Sequence, residues 1–392
     1  MLSKAGVLKT AAGAMGWLAM ALPAFTGETS GGELIVVTGT IQEAVDLALP
    51  GDTVFVPPGI YPESVLVDKS DLTLVGASAA VIDATGFQNG IQVGTGTITA
   101  QGGVPTCPPL ALTNFTLRGL TIRNAEENGV FLIGVDGYRF IGGTYIDNHE
   151  YGPFPICSRN GLIERNFASG GNDAGIYVGD DDTVTVRRNV VTQYAIGVEI
   201  ENSTHAVVEE NILVGNTAGV LVVVLPGLPM AFTDDVRIER NLMIRNNLPN
   251  PVPADSGDPV GLIPTGTGLL NLGGDRVFIR RNVVVGNDSL GVAIVGNFNA
   301  LEDSRIEPFV DQNEVRNNLV VGNGDNPDPE RALTPGADIT FIPHVIDPAT
   351  GELLALDPDP TDNCFSDNRF VKEFPPDVTS RFSCPPDDGL IP

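Results

Sequence analysis

The amino-acid sequence predicts an all-β protein, a right-handed single-stranded parallel β-helix with a short N-terminal capping helix. One phrase returns along most of the chain: a short alternating strand, an Asn or Gly, a second short strand, a polar turn, then Gly followed by alternating apolar residues. Its first Asn or Gly falls at Gly76, Gly119, Gly143, Asn166, Asn189, Asn211, Asn241, Asn282, Asn318 and Asn363. From Gly119 to Asn211 the successive spacings are 24, 23, 23 and 22 residues, the size of one solenoid turn. Composition agrees, because 46 Gly, 30 Pro and only 6% aromatics in 392 residues suit many short strands joined by tight turns.

Taken in order, residues 1–24 read as a secretory signal, with Lys4 and Lys9 ahead of an apolar run from Ala11 to Leu22 and a small residue, Ala24, at the cleavage point. That run is too short and too rich in Gly and Ala for a membrane span, and no later stretch reaches the roughly 20 apolar residues a span needs. Residues 25–323 are expected to hold the capping helix and the β-helix. IQEAVDLAL at 41–49 places Ile41, Ala44, Val45 and Ala48 on one helical face, able to cover the open end of a solenoid. The repeat is plainest in VTVRRNVVTQYAIGVEI at 184–200, AVVEENILVGNTAGVLV at 206–222, VRIERNLMIRNN at 236–247 and VFIRRNVVVGNDSLGVAI at 277–294.

A second Asn follows five residues later at Asn124, Asn148, Asn216, Asn246, Asn287, Asn323 and Asn368. Spacings of 30, 41, 36 and 45 beyond Asn211 hold Pro/Gly/Asp-rich inserts, which become loops on a solenoid. Asn and Gly suit the marker because a strand-to-strand corner needs positive φ, and stacked Asn amides can bond from turn to turn. Residues 324–392 are expected to form a last coil and a Pro/Asp-rich cap.

Cys107, Cys157, Cys364 and Cys384 are an even set in a chain bound for an oxidising compartment, so two disulfides are expected. The pairing Cys107–Cys157 and Cys364–Cys384 is favoured because the members of each pair fall in the same region of the coil. The net charge of −27, from 22 basic and 49 acidic residues, makes nucleic acid and anionic membranes poor partners. An anionic polysaccharide would be repelled unless Ca²⁺ bridged it to carboxylates.

Strand alternation sorts side chains by face. Val130, Ile176, Val198, Val220, Leu269 and Val292 should point inward. One outward column then runs Gln92, Phe131, Phe154, Tyr177, Glu199, Leu221, Leu270, Ala293, and a second runs Ile133, Ile156, Gly179, Glu201, Val223, Leu272, Val295. Inserts near 225–235, 247–267 and 296–313 would wall this face. Phe131, Phe154, Tyr177, Glu199 and Glu201 are therefore the candidate ligand-binding residues, with rings to stack on sugars and carboxylates to bond hydroxyls. The competing readings are that these columns lie beneath the protein's own inserts, or that they form a partner interface.

For catalysis, His149, Arg159, Tyr177 and Glu199 are the candidates, with Asp173 and Glu199 as a Ca²⁺ pair. A lyase or epimerase acting on a uronic sugar needs a base, an acid and a cation beside the carboxylate. No other cofactor is indicated. GDDDT at 179–183 could bind Ca²⁺ but reads rather as a solvated corner, and His205 and His344 lack a second metal ligand. GxSxG, P-loop and dinucleotide fingerprints are absent in context.

YGPFPICSRN at 151–160, NDAGIYVG at 172–179, GVEIENST at 197–204 and GVLVVVLPGLP at 219–229 carry a resemblance to the pectin-lyase-like right-handed parallel β-helix superfamily. The chain more closely resembles a family of exported bacterial parallel β-helix repeat proteins of unknown function. The resemblance implies the fold, a periplasmic or extracellular location and an exported cytochrome-like partner protein. It carries over no catalytic residue, because the Asp-Pro-His signature of alginate-type epimerases and the calcium and arginine set of pectate lyases are missing. The reading is an exported protein that binds a glycan or a partner protein along one sheet, with a Ca²⁺-assisted polysaccharide lyase or uronate epimerase and a non-catalytic structural solenoid as alternatives.

Overall fold

A computed structural model describes residues 8–10, 32–331, 334–347 and 350–385. Of the expected signal segment only 8–10 fall among them, pairing antiparallel with Leu34–Val36; the Ala24 cleavage point lies outside the described residues. The chain divides into two compact units, 1–190 and 191–392. Each is a right-handed parallel β-helix whose coils contribute one strand to each of three sheets, here called I, II and III.

In the first unit a full coil runs through Val135–Ile141 in sheet I, Thr144–Ile146 in sheet II and Tyr151–Ile156 in sheet III. The next coil repeats the order with Arg159–Glu164, Phe167–Ser169 and Ala174–Gly179. Register is strict: Tyr138 pairs with Gly161 and Gly161 with Val184 on sheet I, while Phe131 pairs with Phe154 on sheet III. The inward positions Val130 and Ile176 are fully buried, as are Val198, Val220, Leu269 and Val292 in the second unit. A parallel sheet covered on its inner face requires such aliphatic rows.

The capping helix spans Ile41–Leu47 and starts with a capping box, Glu43 N–H donating to Thr40 Oγ1 at 3.1 Å and Thr40 N–H to Glu43 Oε2 at 3.3 Å. Ile41, Ala44 and Val45 are fully buried and Ala48 nearly so, the helical face the sequence marked. At its other end Lys69 Nζ donates to the carbonyls of Val45, Asp46 and Ala48 at 2.8, 3.1 and 3.1 Å, a cation on the negative end of the helix dipole.

The Asn markers work differently from the expectation in one respect. The left-handed residue is the one before the Asn: Arg165, Arg188, Glu210 and Arg240 all have φ of 56° and Arg281 has 57°. Of the Gly markers, Gly119 does hold positive φ, at 71°. The Asn itself turns its amide inward and stacks. In the second unit Asn211 N–H donates to Asn241 Oδ1 at 3.0 Å, Asn241 N–H to Asn282 Oδ1 at 2.9 Å and Asn282 N–H to Asn318 Oδ1 at 2.8 Å. Their Nδ2 groups reach carbonyls of the neighbouring coils, Asn241 to Val208 at 2.8 Å and Asn282 to Ile238 at 2.7 Å. A residue with a Cβ loses about 1–2 kcal/mol in the left-handed region, and the amide ladder offsets it by satisfying buried corner groups.

The ladder corrects the last marker: Asn318 N–H bonds Asn368 at 3.0 Å, whereas Asn363 bonds Asn313, at the corner before sheet I. The long insert ahead of the final coil shifts the sequence phrase by five residues. Both disulfides pair as Cys107–Cys157 and Cys364–Cys384. Among the described residues no helix is long and apolar enough to cross a membrane.

Candidate functional site

Sheet III presents the outward columns, and the two units treat them differently. In the first unit Leu66 pairs with Gln92, Gln92 with Phe131 and Phe131 with Phe154 along the first column. Leu66 is exposed, and Gln92, Phe131 and Phe154 are half-buried. The rings of Phe131 and Phe154 are 5.6 Å apart, and Phe154 stacks on Tyr151 at 4.4 Å with an interplanar angle of 13°. Tyr177 packs 4.4 Å from Phe154 and 5.2 Å from Tyr151, and is itself only 4% exposed. Its ring runs along the sheet over Gly179, where a Cβ would lie 2.3 Å from the phenol oxygen. Only glycine leaves that space.

Tyr151 was not singled out by the sequence, yet it joins the rings to the polar rim: its hydroxyl donates to Asp173 Oδ2 at 2.5 Å. The signal was there in the 22-residue offset between Tyr151 and Asp173, one repeat apart. His149 is exposed beside them, its Nε2 3.4 Å from Asn172 Nδ2.

The wall of this face was also missed. A hairpin, Thr99–Gln101 with Val104–Thr106, rises after the strand Asn89–Val93 and is stapled by Cys107 to Cys157, at the end of the strand Tyr151–Ile156. Cys107, Phe131 and Phe154 pack against Ile133, Ile156 and Cys157, and so the second column is closed, with Ile133 and Ile156 at 3% and 7% exposure. The 43-residue gap between Gly76 and Gly119, nearly two repeats, marks the insertion.

The remaining candidates separate. Arg159 opens the sheet I strand Arg159–Glu164, beyond the corner that ends sheet III, and its guanidinium bonds Asp136 Oδ2 at 2.6 Å. That bond lowers the Asp136 carboxyl pKa and raises the guanidinium's. Arg159 is thus committed on another sheet and does not serve the aromatic face. In the second unit Glu199 and Glu201 pair with Leu221 and Val223 as the register requires, but are 3% and 6% exposed on a strand buried along its whole length. The insert after Val223 is clamped to the corner that follows Glu201, Asn202 Nδ2 donating to the carbonyls of Leu225 and Met230 at 2.9 and 2.5 Å. Tyr177, Glu199 and Glu201 are therefore interior groups rather than a ligand-facing floor. Leu221, Leu270 and Ala293 continue that column at 5%, 9% and 0% exposure.

GDDDT is also not a solvated corner. Asp181 is fully buried and accepts from Tyr138 Oη at 2.7 Å; burial pushes its carboxyl up to about 7 and the phenol well above its ordinary value. Tyr138 reaches Asp181, 43 residues on, by crossing Gly161, whose absent side chain leaves room for the ring. Among the described residues no three His, Cys, Asp or Glu side chains are grouped to hold a metal ion.

A family model described as a right-handed β-helix region matches residues 111–227. PfbA, a surface adhesin of Streptococcus pneumoniae, is similar at 15% identity with a TM-score of 0.54, over 84% of this chain and 80% of that one. The A-module of the mannuronan C-5 epimerase AlgE6 from Azotobacter vinelandii is similar at 14% identity with a TM-score of 0.51, over 86% of this chain and 94% of that one. No curated protein matches by sequence. The fold these similarities show is a right-handed parallel β-helix.

Proposed function

We propose that the protein is an exported glycan-binding β-helix whose site is the outer face of sheet III in the first unit. The observation that carries this reading is the row of half-buried rings, Phe131, Phe154 and Tyr151, beside a hairpin held by a disulfide. Rings fixed at this spacing present apolar faces and edges to the C–H surface of sugars while losing little side-chain freedom. Asp173, tied to Tyr151, and Gln92 supply acceptors and donors for hydroxyls at the margin of the platform. The charge of −27 favours a neutral glycan over a polyuronate. Two disulfides suit an oxidising compartment.

The similar solved structures include a surface adhesin and an epimerase of mannuronan, and both uses are compatible with a glycan surface on this fold. Titration calorimetry of the mature chain against neutral and uronic oligosaccharides tests the proposal. A neutral oligosaccharide is expected to bind, and Phe131→Ala or Phe154→Ala to weaken it about tenfold or more. Binding unaffected by either substitution, or no binding by any member of the panel, would remove the platform from the function.

A further inference from the structure

The C-terminal end of the second unit holds a cavity of about 490 Å³. It lies where the last strands of sheet III, Ala337–Ile342 and Glu373–Phe374, meet the hairpin of Val345–Ile346 with Leu353–Ala355 and the short helix Val378–Arg381. The end of the solenoid creates it. Phe341 pairs with Ile294 on the inward row of sheet III. The edge strand Glu373–Phe374 pairs only with Ile339 and Thr340, and Pro375 has no N–H with which to continue the ladder, so the strand ends one residue short of extending this row. Phe382 meets the Phe341 ring edge-on at 5.0 Å instead. Phe341 and Val378, at 1% and 2% exposure, are the innermost lining, Phe374 and Phe382 are half-buried, and the space opens to solvent at Arg381 and Gly351.

Charge sets the chemistry of the lining. In a chain of 49 acidic and 22 basic residues, no Asp or Glu lines the cavity, whereas Arg381 and His344 do. Among the described residues Arg381 makes no ion pair, and its guanidinium lies 5.7 Å from the centre of the Phe382 ring. His344 Nδ1 accepts the Asp357 N–H at 3.1 Å, which leaves the ring proton on Nε2 as a donor. Glu373, beside Phe374 in the chain, is turned to the helix, its Oε2 accepting from Thr379 N–H at 2.9 Å.

We propose that this cavity binds a small aromatic carboxylate, its ring body among Phe341, Phe374 and Phe382, its carboxylate on Arg381 and His344 as a second donor. Rings offer faces and edges to another ring, and a guanidinium grips a carboxylate through two parallel N–H groups. A cation would meet Arg381 and find no carboxylate, and a sugar would bury hydroxyls against an apolar lining with few partners. A flexible aliphatic acid would lose more rotamer freedom on entry than a rigid ring.

Titration calorimetry of the protein with 2-naphthoate tests this. Binding with a dissociation constant below about 1 mM is expected, and 2-naphthylmethanol, the same ring without the charge, should bind at least about tenfold more weakly. Arg381→Gln, at an exposed position, should weaken naphthoate about tenfold and leave the alcohol unchanged, while Phe374→Ala should weaken both. Phe131→Ala, in the first unit, should change neither, which separates this site from the glycan surface. Circular dichroism checks folding; should Phe374→Ala fail to fold, the Arg381→Gln comparison decides alone. No naphthoate binding at about 5 mM overturns the proposal. So does naphthoate affinity that Arg381→Gln leaves unchanged or Phe131→Ala reduces, or octanoate binding more tightly than naphthoate.

Discussion

The first outward column of sheet III is built by the same repeat in both units, yet it is half-open and aromatic at Phe131 and Phe154 in one and interior at Glu199, Leu221, Leu270 and Ala293 in the other. In the first unit Cys107, bonded to Cys157, packs on the second column at Ile133 and Ile156 and leaves Phe131, Tyr151 and Phe154 half-buried. In the second, the inserts 225–233, 247–266 and 296–313 bring apolar side chains of their own, Val260, Ile263, Ile306 and Val310, which are buried along with Leu221, Leu270 and Ala293. Two of these inserts are tied together, Arg305 Nη2 donating to the Leu228 carbonyl at 2.9 Å and Gly227 N–H to Asp303 Oδ2 at 3.2 Å. Strand register places a residue on a face; the loops decide whether that face meets water.

The comparison can be broken most severely at the corners. Asn241→Ala removes the acceptor for Asn211 N–H and Nδ2 and the donor to the Val208 carbonyl, all in the interior of the second unit. A loss of about 3–5 kcal/mol is expected, because unpaired buried groups add to the lost bonds; urea unfolding measures it. Alanine at Gly143, a first-unit marker without an amide, would leave the bond from its N–H to Asn166 Oδ1 in place and act instead by crowding the buried Tyr145, whose hydroxyl lies 2.9 Å from the added Cβ.

Next in size is a paired substitution on the two faces. Leu270→Ala should cost about 2–4 kcal/mol in stability by leaving a cavity and leave glycan affinity intact, whereas Phe154→Ala should weaken glycan binding about tenfold or more. Replacing Cys107 and Cys157 by Ser frees the hairpin wall. In the chain-entropy model a loop of this size contributes about 4 kcal/mol at most, and glycan affinity should fall together with the melting temperature.

The smallest effect concerns Asp181. Its carboxyl, held near pKa 7 by burial in the fold and near 3.8 when unfolded, keeps its proton in the folded state over the interval between them. Its contribution is therefore fully present below about pH 4, is lost as pH rises to about 7, and does not change beyond. Asp181→Asn can still accept from Tyr138 Oη and should flatten the decline in stability between pH 4 and 7, read from urea midpoints at each pH.

The fold was legible in the sequence because a 23-residue period with apolar alternation has few other solutions, and inward residues such as Val130 and Val292 followed from parity alone. The disulfide partners followed from coil position. The site was legible only in its columns. Phe131 and Phe154 are on the predicted face in the predicted register, but burial of Tyr177, Glu199 and Glu201 depends on loops whose course no period encodes. Arg159 was misplaced by one corner, since a three-residue shift past Ile156 moves a side chain to another sheet. Asp181 looked solvated because a run of three Asp gives no hint that a tyrosine 43 residues earlier reaches it across a glycine.

The most direct measurement is hydroxyl-radical footprinting of the protein with and without a saturating oligosaccharide, read residue by residue by mass spectrometry. The account predicts protection at Phe131, Tyr151 and Phe154, with Leu242 and Val283 unchanged. Protection confined to residues outside the first unit's sheet III, or no change at the three rings while the sugar is bound, would contradict it.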